Sequence, residues 1–259
     1  MKRCLLSLAL ILGGLISISA QEFEKMNFTA EDGTNLNYRL LQPKESAEGE
    51  MFPLVIFLHG AGERGSDNEK QLIHGSQMFL NPDNLEKYPA FVLFPQCPES
   101  GFWAYNLPIK SLNELEAEEQ MPAIFKAVKE LIDLYLENPM VDRSRVYIIG
   151  LSMGAMGTFD MVVRFPEIFA AAVPICGNVQ PERLEKIEGV SFRIFHGDAD
   201  QVVSVEGSRN AYKVLKAAGV EVEYIEFPGC GHGSWNPAFK YDDFMEWIFK
   251  QKKSSKYLK

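Results

Sequence analysis

The chain has 259 residues, with 35 acidic side chains against 26 basic ones and a net charge of −9 at neutral pH. Nucleic acid and anionic lipid both call for a basic face, so neither is expected as the main partner. Four cysteines without metal-ligand spacing argue against a zinc module and against a dense disulfide framework, and a hydrophobic content of 46% is ample for a core without staples.

Lys2 and Arg3 precede an almost wholly apolar stretch from Leu5 to Ile18, and Ser19-Ala20 offers small residues before Gln21. This order reads as a secretory signal peptide over residues 1–20 and implies a periplasmic or secreted product, with no stable membrane insertion after cleavage. The apolar run is about 14 residues against the ~20 that a span requires, which leaves an uncleaved anchor as the alternative reading. Residues 21–259 then form a single α/β domain. They retain Cys97, Cys176 and Cys230; one disulfide is allowed in an oxidising compartment, but the sequence does not fix its partners.

Phe23–Ala30 and Asn35–Leu41 flank Glu31-Asp32-Gly33-Thr34, a hairpin signal. Residues 42–52 are polar and carry Pro43 and Gly49, as a surface loop does. Pro53–Leu58 is continuously apolar, the pattern of a strand buried on both faces, and stops at His59-Gly60-Ala61-Gly62. Ser66–Phe79 is expected to be helical. Ala90–Pro95 is the next buried strand, followed by a loop with Phe102, Trp103 and Tyr105. Met121, Ile124, Phe125, Val128, Leu131, Ile132 and Tyr135 share one helical face, and Asn138-Pro139 ends that helix.

Val146-Tyr147-Ile148-Ile149 then runs into Gly150-Leu151-Ser152-Met153-Gly154 and a helix that Phe165-Pro166 closes. Phe169–Ile175 is a strand ending at Cys176-Gly177, and Phe192–Phe195 is a strand ending at His196-Gly197-Asp198-Ala199-Asp200. Ser204–Ala218 is helical and closed by Gly219. Val220–Phe227 is the last strand, ahead of Gly229-Cys230-Gly231-His232-Gly233, and Asp242–Lys250 is the last helix. The basic 250–259 segment reads as a frayed, solvated tail. Strands alternating with helices predict a mostly parallel sheet covered on both faces and led by an antiparallel hairpin. In such sheets ligands bind beyond the carboxyl ends of the strands, where every polar motif of this chain falls.

Ser152 sits on a strand–turn–helix elbow that holds its hydroxyl out above the sheet. A serine hydroxyl needs a base, and the base needs a third group to fix its tautomer. Of the four histidines, His59 and His196 each precede a glycine at a strand end and are expected to organise their turns. His74 is expected at the surface. His232, between two glycines after the last strand, is the expected base. Asp198 and Asp200 lie at similar distance along the chain. Asp198 is suited to accept N–H groups within its turn, and Asp200 to reach His232. The backbone N–H of Met153, at the head of a helix, is a candidate oxyanion donor. Trp103 and Trp235 flank these motifs and are the candidate substrate contacts, for an aromatic acyl group or a sugar ring, with loop packing as the alternative. Glu63 and Arg64 are left between rimming the site and pairing on the surface. No histidine pair has metal spacing, and no cofactor is expected.

The order Ser152, Asp200, His232, with Leu58-His59-Gly60-Ala61-Gly62, resembles α/β-hydrolases of the dienelactone hydrolase and phospholipase/carboxylesterase type. It is also similar to single-domain feruloyl and polyhydroxybutyrate-depolymerase-like esterases. The resemblance spans about Pro53 to Trp247. It implies the α/β-hydrolase fold, a Ser152–Asp200–His232 triad, Asp200 as its acid, and the Ala61 N–H as the second oxyanion donor; the short segment between Cys176-Gly177 and the strand near Ser191, with room for one small helix, predicts no large lid. It further implies hydrolysis of carboxylic esters through an acyl-enzyme, on small or polysaccharide-linked substrates carrying feruloyl or acetyl groups. A prolyl-oligopeptidase-like peptidase and a non-catalytic binding protein are the alternatives.

Overall fold

A computed structural model describes residues 21–44, 49–104 and 121–258. The proposed signal segment and Tyr105 lie outside the described residues. Eight strands form one sheet: β1 (Glu24–Thr29), β2 (Asn35–Leu41), β3 (Phe52–Leu58), β4 (Phe91–Pro95), β5 (Val141–Leu151), β6 (Ala171–Ile175), β7 (Ser191–Gly197) and β8 (Val222–Phe227). Their order across the sheet is β1-β2-β4-β3-β5-β6-β7-β8. The first two make the expected antiparallel hairpin, with Glu24 opposite Leu40 and Thr29 opposite Asn35. β2 also pairs antiparallel with β4, and every later pairing is parallel. This is the doubly covered α/β sheet that the sequence pattern predicts.

Alternation along each central strand divides the core into two layers. Helices α1 (Ser76–Leu80) and α2 (Pro82–Lys87) lie between β3 and β4. Leu54, Ile56 and Leu58 of β3 face a layer that includes Phe125 and Val128 of α3 (Ala123–Leu136) and Met156 and Phe159 of α4 (Met153–Arg164). Val55 and Phe57 face the other layer, with Phe79 of one short helix and Phe244, Trp247 and Ile248 of another (Phe244–Lys250). Because both faces are covered, β3 is buried at all seven positions, which is why its sequence is continuously apolar rather than alternating.

Two expectations fail locally. Residues 66–79 are not one helix but a 3-10 turn at Lys70–Leu72 followed by a helix at Ser76–Leu80. Asp67 Oδ1 accepts the N–H groups of Glu69 and Lys70, which starts the turn anew. Gly75 then adopts φ 81, and a side chain there would meet the Phe57 ring at 2.4 Å. The break is therefore imposed by packing against β3. The basic tail is likewise not frayed through its length. Lys253 is buried, its N–H donates to Ser144 O, and its Nζ donates to the carbonyls of Pro166 (2.6 Å), Phe169 (2.7 Å) and Gly189 (3.0 Å).

An ammonium group has three N–H donors, and here it meets three carbonyls. Lys253→Met should leave those buried acceptors without this donor and destabilise the protein by about 2 kcal/mol. The check is the urea midpoint of the variant; a midpoint equal to or above that of the parent would show that the carbonyls are satisfied otherwise.

Candidate active site

Ser152 joins β5 to α4 at φ 53 and ψ −117, a conformation non-glycine residues rarely adopt. Its own N–H is held by Ile175 O at 2.9 Å. The helix can begin there only because its first turn lies against the ends of β3 and β5. A side chain at Gly154 would stand 2.0 Å from Leu58 O, and one at Gly150 would stand 2.2 Å from Gly154 O. The G-x-S-x-G spacing is thus a steric requirement of the elbow, and Ser152 sits above it.

The loops after β7 and β8 bring the other two residues to the same place. Ser152 Oγ lies 2.9 Å from His232 Nε2, and His232 Nδ1 lies 2.7 Å from Asp200 Oδ2. Asp200 Oδ1 accepts the N–H groups of Val202 (2.8 Å) and Val203 (3.0 Å). Burial acts to raise the Asp200 pKa, but the bonds from His232, Val203 and Val202 outweigh it, so the carboxyl stays below the usual carboxylate range. An ionised carboxylate at Nδ1 keeps the proton on that nitrogen and leaves Nε2 free to accept the serine proton.

Asp198 plays another part. Its Oδ1 accepts the Gly229 N–H at 2.6 Å, so it anchors the neighbouring loop that carries His232 rather than its own turn. His196 supports the carboxylate from behind. Its Nε2 lies 3.2 Å from Asp200 Oδ2 and 3.1 Å from Val203 O, while Nδ1 faces Ser208 Oγ at 2.7 Å. Burial lowers its pKa, so this imidazole stays neutral.

Two backbone N–H groups beside Ser152 have no acceptor among the described residues. Met153 opens α4, where an N–H has no intrahelical partner, and Ala61 opens a 3-10 turn after β3. The peptide carrying the Ala61 N–H is aimed by His59. The His59 Nδ1–H donates to Gly60 O at 2.6 Å, and His59 Nε2 accepts the Cys97 N–H at 2.9 Å, which fixes the tautomer. In a trans peptide C=O and N–H point oppositely, so holding Gly60 O sets the direction of the Ala61 N–H. Arg64 secures the next peptide by donating to Ala61 O (3.0 Å) and Gly101 O (3.2 Å). The sequence marks His59 as a turn organiser but gives no sign of this use of Arg64.

Comparison with known proteins identifies the family. The family model for phospholipase/carboxylesterase matches residues 44–246. The chain belongs to the phospholipase/carboxylesterase family. It is 27% identical over 219 residues to the carboxylesterase SOBER1 of Arabidopsis thaliana, covering 78% of this chain and 91% of that one. A solved thermostable esterase superposes with a TM-score of 0.82 at 36% identity, covering 89% of this chain and 63% of the longer neighbour. A ferulic acid esterase shares the fold, with a TM-score of 0.66 at 15% identity, covering 89% of this chain and all of that one.

The two tryptophans expected at the substrate part company. Trp103 is not a substrate contact: it is fully buried, its indole N–H donates to His59 O at 3.0 Å, and its Cβ would lie 2.7 Å from a side chain at Gly157. It belongs to the core beneath the His59 loop. Trp235 stands beside the site, its ring 5.5 Å from His232 and nearly perpendicular to it. His74 is not a plain surface residue either, since its ring lies 5.2 Å from Trp235 and its Nε2 lies 3.6 Å from Glu63 Oε1. Lone residues of these types carry no sequence signal for such contacts.

Cys97, Cys176 and Cys230 are all free thiols. Among the described residues, Cys176, Asp200 and His232 place one potential metal-ligand atom each within 4.8 Å of one another. Burial pushes the Cys176 thiol up to about 12, however, and metals bind the thiolate. Asp200 and His232 are moreover committed to each other.

Burial lowers the His59 pKa to about 4, against about 6.5 unfolded. Between those values the unfolded chain binds the extra proton, so acidification should destabilise the fold through this window, and the contribution is present in full only above about pH 6.5. His59→Gln should lessen the slope of unfolding free energy against pH between about 6.5 and 4. Denaturant titrations at closely spaced pH values test this; parallel profiles for the two proteins would remove His59 from the acid response.

Proposed function

We propose that the protein is a serine carboxylesterase acting through an acyl-enzyme, with Ser152 as nucleophile, His232 as general base and then general acid, and Asp200 as the group that orients His232. The observation that carries this reading is the hydrogen-bonded series from Ser152 Oγ through both nitrogens of His232 to Asp200, set beside two N–H groups with no acceptor among the described residues. His232 Nε2 takes the Ser152 proton as Oγ adds to the ester carbonyl. The carbonyl oxygen gains charge and is met by the Met153 and Ala61 N–H groups, each worth about 2.7–4 kcal/mol of barrier in comparable sites. His232 then gives its proton to the departing alcohol oxygen. Water repeats the sequence on the acyl-enzyme and releases the acid.

We propose a feruloyl or acetyl ester attached to polysaccharide as the substrate, and a periplasmic or secreted location. The N-terminal composition supports the location, and the names of the related esterases support the ester. The β6–β7 connection supports an open site: it contains only a 3-10 turn at Pro181–Leu184 where lid-bearing lipases carry an insertion.

Four outcomes test the proposal. Ser152→Ala should abolish turnover and fluorophosphonate labelling while the protein stays folded, and substantial hydrolysis by that variant would place the nucleophile elsewhere. Asp200→Asn should lose on the order of 10³–10⁴ in kcat, because the amide favours the wrong imidazole tautomer. Asp198→Asn should instead lower the melting point, by the equivalent of roughly 0.5–2 kcal/mol; a larger kcat loss in Asp198→Asn than in Asp200→Asn would reverse the two roles. On a soluble ester the rate should saturate normally, without a jump as droplets form, and such a jump would reveal a lid.

A further inference from the structure

Glu63, His74 and Trp235 meet at one side of His232, and the series has no part in the steps described above. Glu63 is buried, with 8% of the residue and 11% of its side chain exposed. Its carboxylate folds back over the turn that carries the Ala61 N–H, since Oε2 would lie 3.0 Å from a side chain at Gly60. Oε1 faces His74 Nε2 at 3.6 Å, the His74 ring lies 5.2 Å from Trp235, and the Trp235 ring stands edge-on to His232 at 5.5 Å. Two buried polar atoms in this group have no hydrogen-bond partner among the described residues: Glu63 Oε2, an acceptor, and Trp235 Nε1, a donor. A buried polar atom without a partner is costly, and native structures keep few of them without a reason.

The chemistry of the site says which part of an ester reaches this group. The attacked carbon carries four substituents in the tetrahedral intermediate. One is Ser152 Oγ, and one is the oxyanion, directed at the Ala61 and Met153 N–H groups. The leaving oxygen must lie within reach of His232 Nε2, because that nitrogen protonates it. A residue set that borders both the oxyanion turn, through Glu63, and His232, through Trp235, therefore borders the leaving alcohol. A hydroxyl is at once a donor, suited to Glu63 Oε2, and an acceptor, suited to the Trp235 N–H. We propose that Glu63 and Trp235, linked through His74, form an alcohol subsite that selects esters of polyhydric alcohols, by hydrogen bonds to hydroxyls neighbouring the esterified one. This rests on the esterase reading and specifies its alcohol, whatever the acyl group.

The test compares esters with one acyl group and different alcohols: 1-acetylglycerol and methyl 6-O-acetylglucoside against propyl acetate. The parent enzyme should favour the polyol esters in kcat/KM by on the order of tenfold per hydrogen bond gained, with the difference mainly in KM. The more strongly favoured of the two distinguishes a glycerol-type alcohol from a sugar. Glu63→Met removes the acceptor, and Trp235→Phe removes the N–H while keeping a ring against His232. Each should shrink the polyol-to-propyl ratio by about tenfold. A ratio near one in the parent overturns the subsite, and so does a ratio that both substitutions leave unchanged while the esters are still hydrolysed. Failure to hydrolyse any of the three esters, with no fluorophosphonate labelling of Ser152, overturns the esterase reading and the subsite together. A purely structural role for these side chains would lower stability or slow all three esters alike, leaving the ratio intact.

Discussion

One buried carboxylate ties the active face together. Asp200 receives two backbone N–H groups from its own loop on one oxygen, and His232 and His196 on the other. Each bond has a different consequence. The backbone bonds fix the loop after β7, the His232 bond sets a tautomer, and the His196 bond joins the loop to α5 (Val205–Ala217) through Ser208. A carboxylate so provided with donors remains ionised despite burial, and in the proposed mechanism an ionised group here holds the Nδ1 proton of His232 and leaves Nε2 facing Ser152.

The opposite wall depends on a second neutral histidine. His59 is held by the Cys97 N–H on one side and holds Gly60 O on the other, with Trp103 closing over its carbonyl. An imidazole can accept and donate at once only while it is uncharged, and burial keeps it so at neutral pH. The two walls thus use the same device. His59, just after β3, and His196, near the end of β7, both stay uncharged at neutral pH, and His232 lies between the surroundings they fix.

Much of this was legible in the sequence because it follows from sterics and periodicity. The buried strands announced themselves as apolar runs, the elbow as glycines two residues either side of a serine, and the order of polar motifs as strand ends on one side of a sheet. What escaped depended on side chains meeting across the fold. Residues 66–79 have helical composition, but Phe57 and the carboxylate of Asp67 impose a break within them. Trp103 and Trp235 look alike in the sequence, each aromatic and each beside a motif. Only the placement of their N–H groups separates a core residue from one at the edge of His232. Lys253 reads as one more charge in a basic tail because the three carbonyls that bind it come from segments 64 to 87 residues away.

The backbone of Ser152 sets activity against durability. Holding a serine at φ 53 costs on the order of 1–3 kcal/mol, and glycine would adopt the same conformation at little cost. A lineage that no longer needs the reaction would therefore gain stability by exchanging this serine for glycine. On the proposed role of Ser152, the elbow trades a small loss of stability for a hydroxyl held above the sheet.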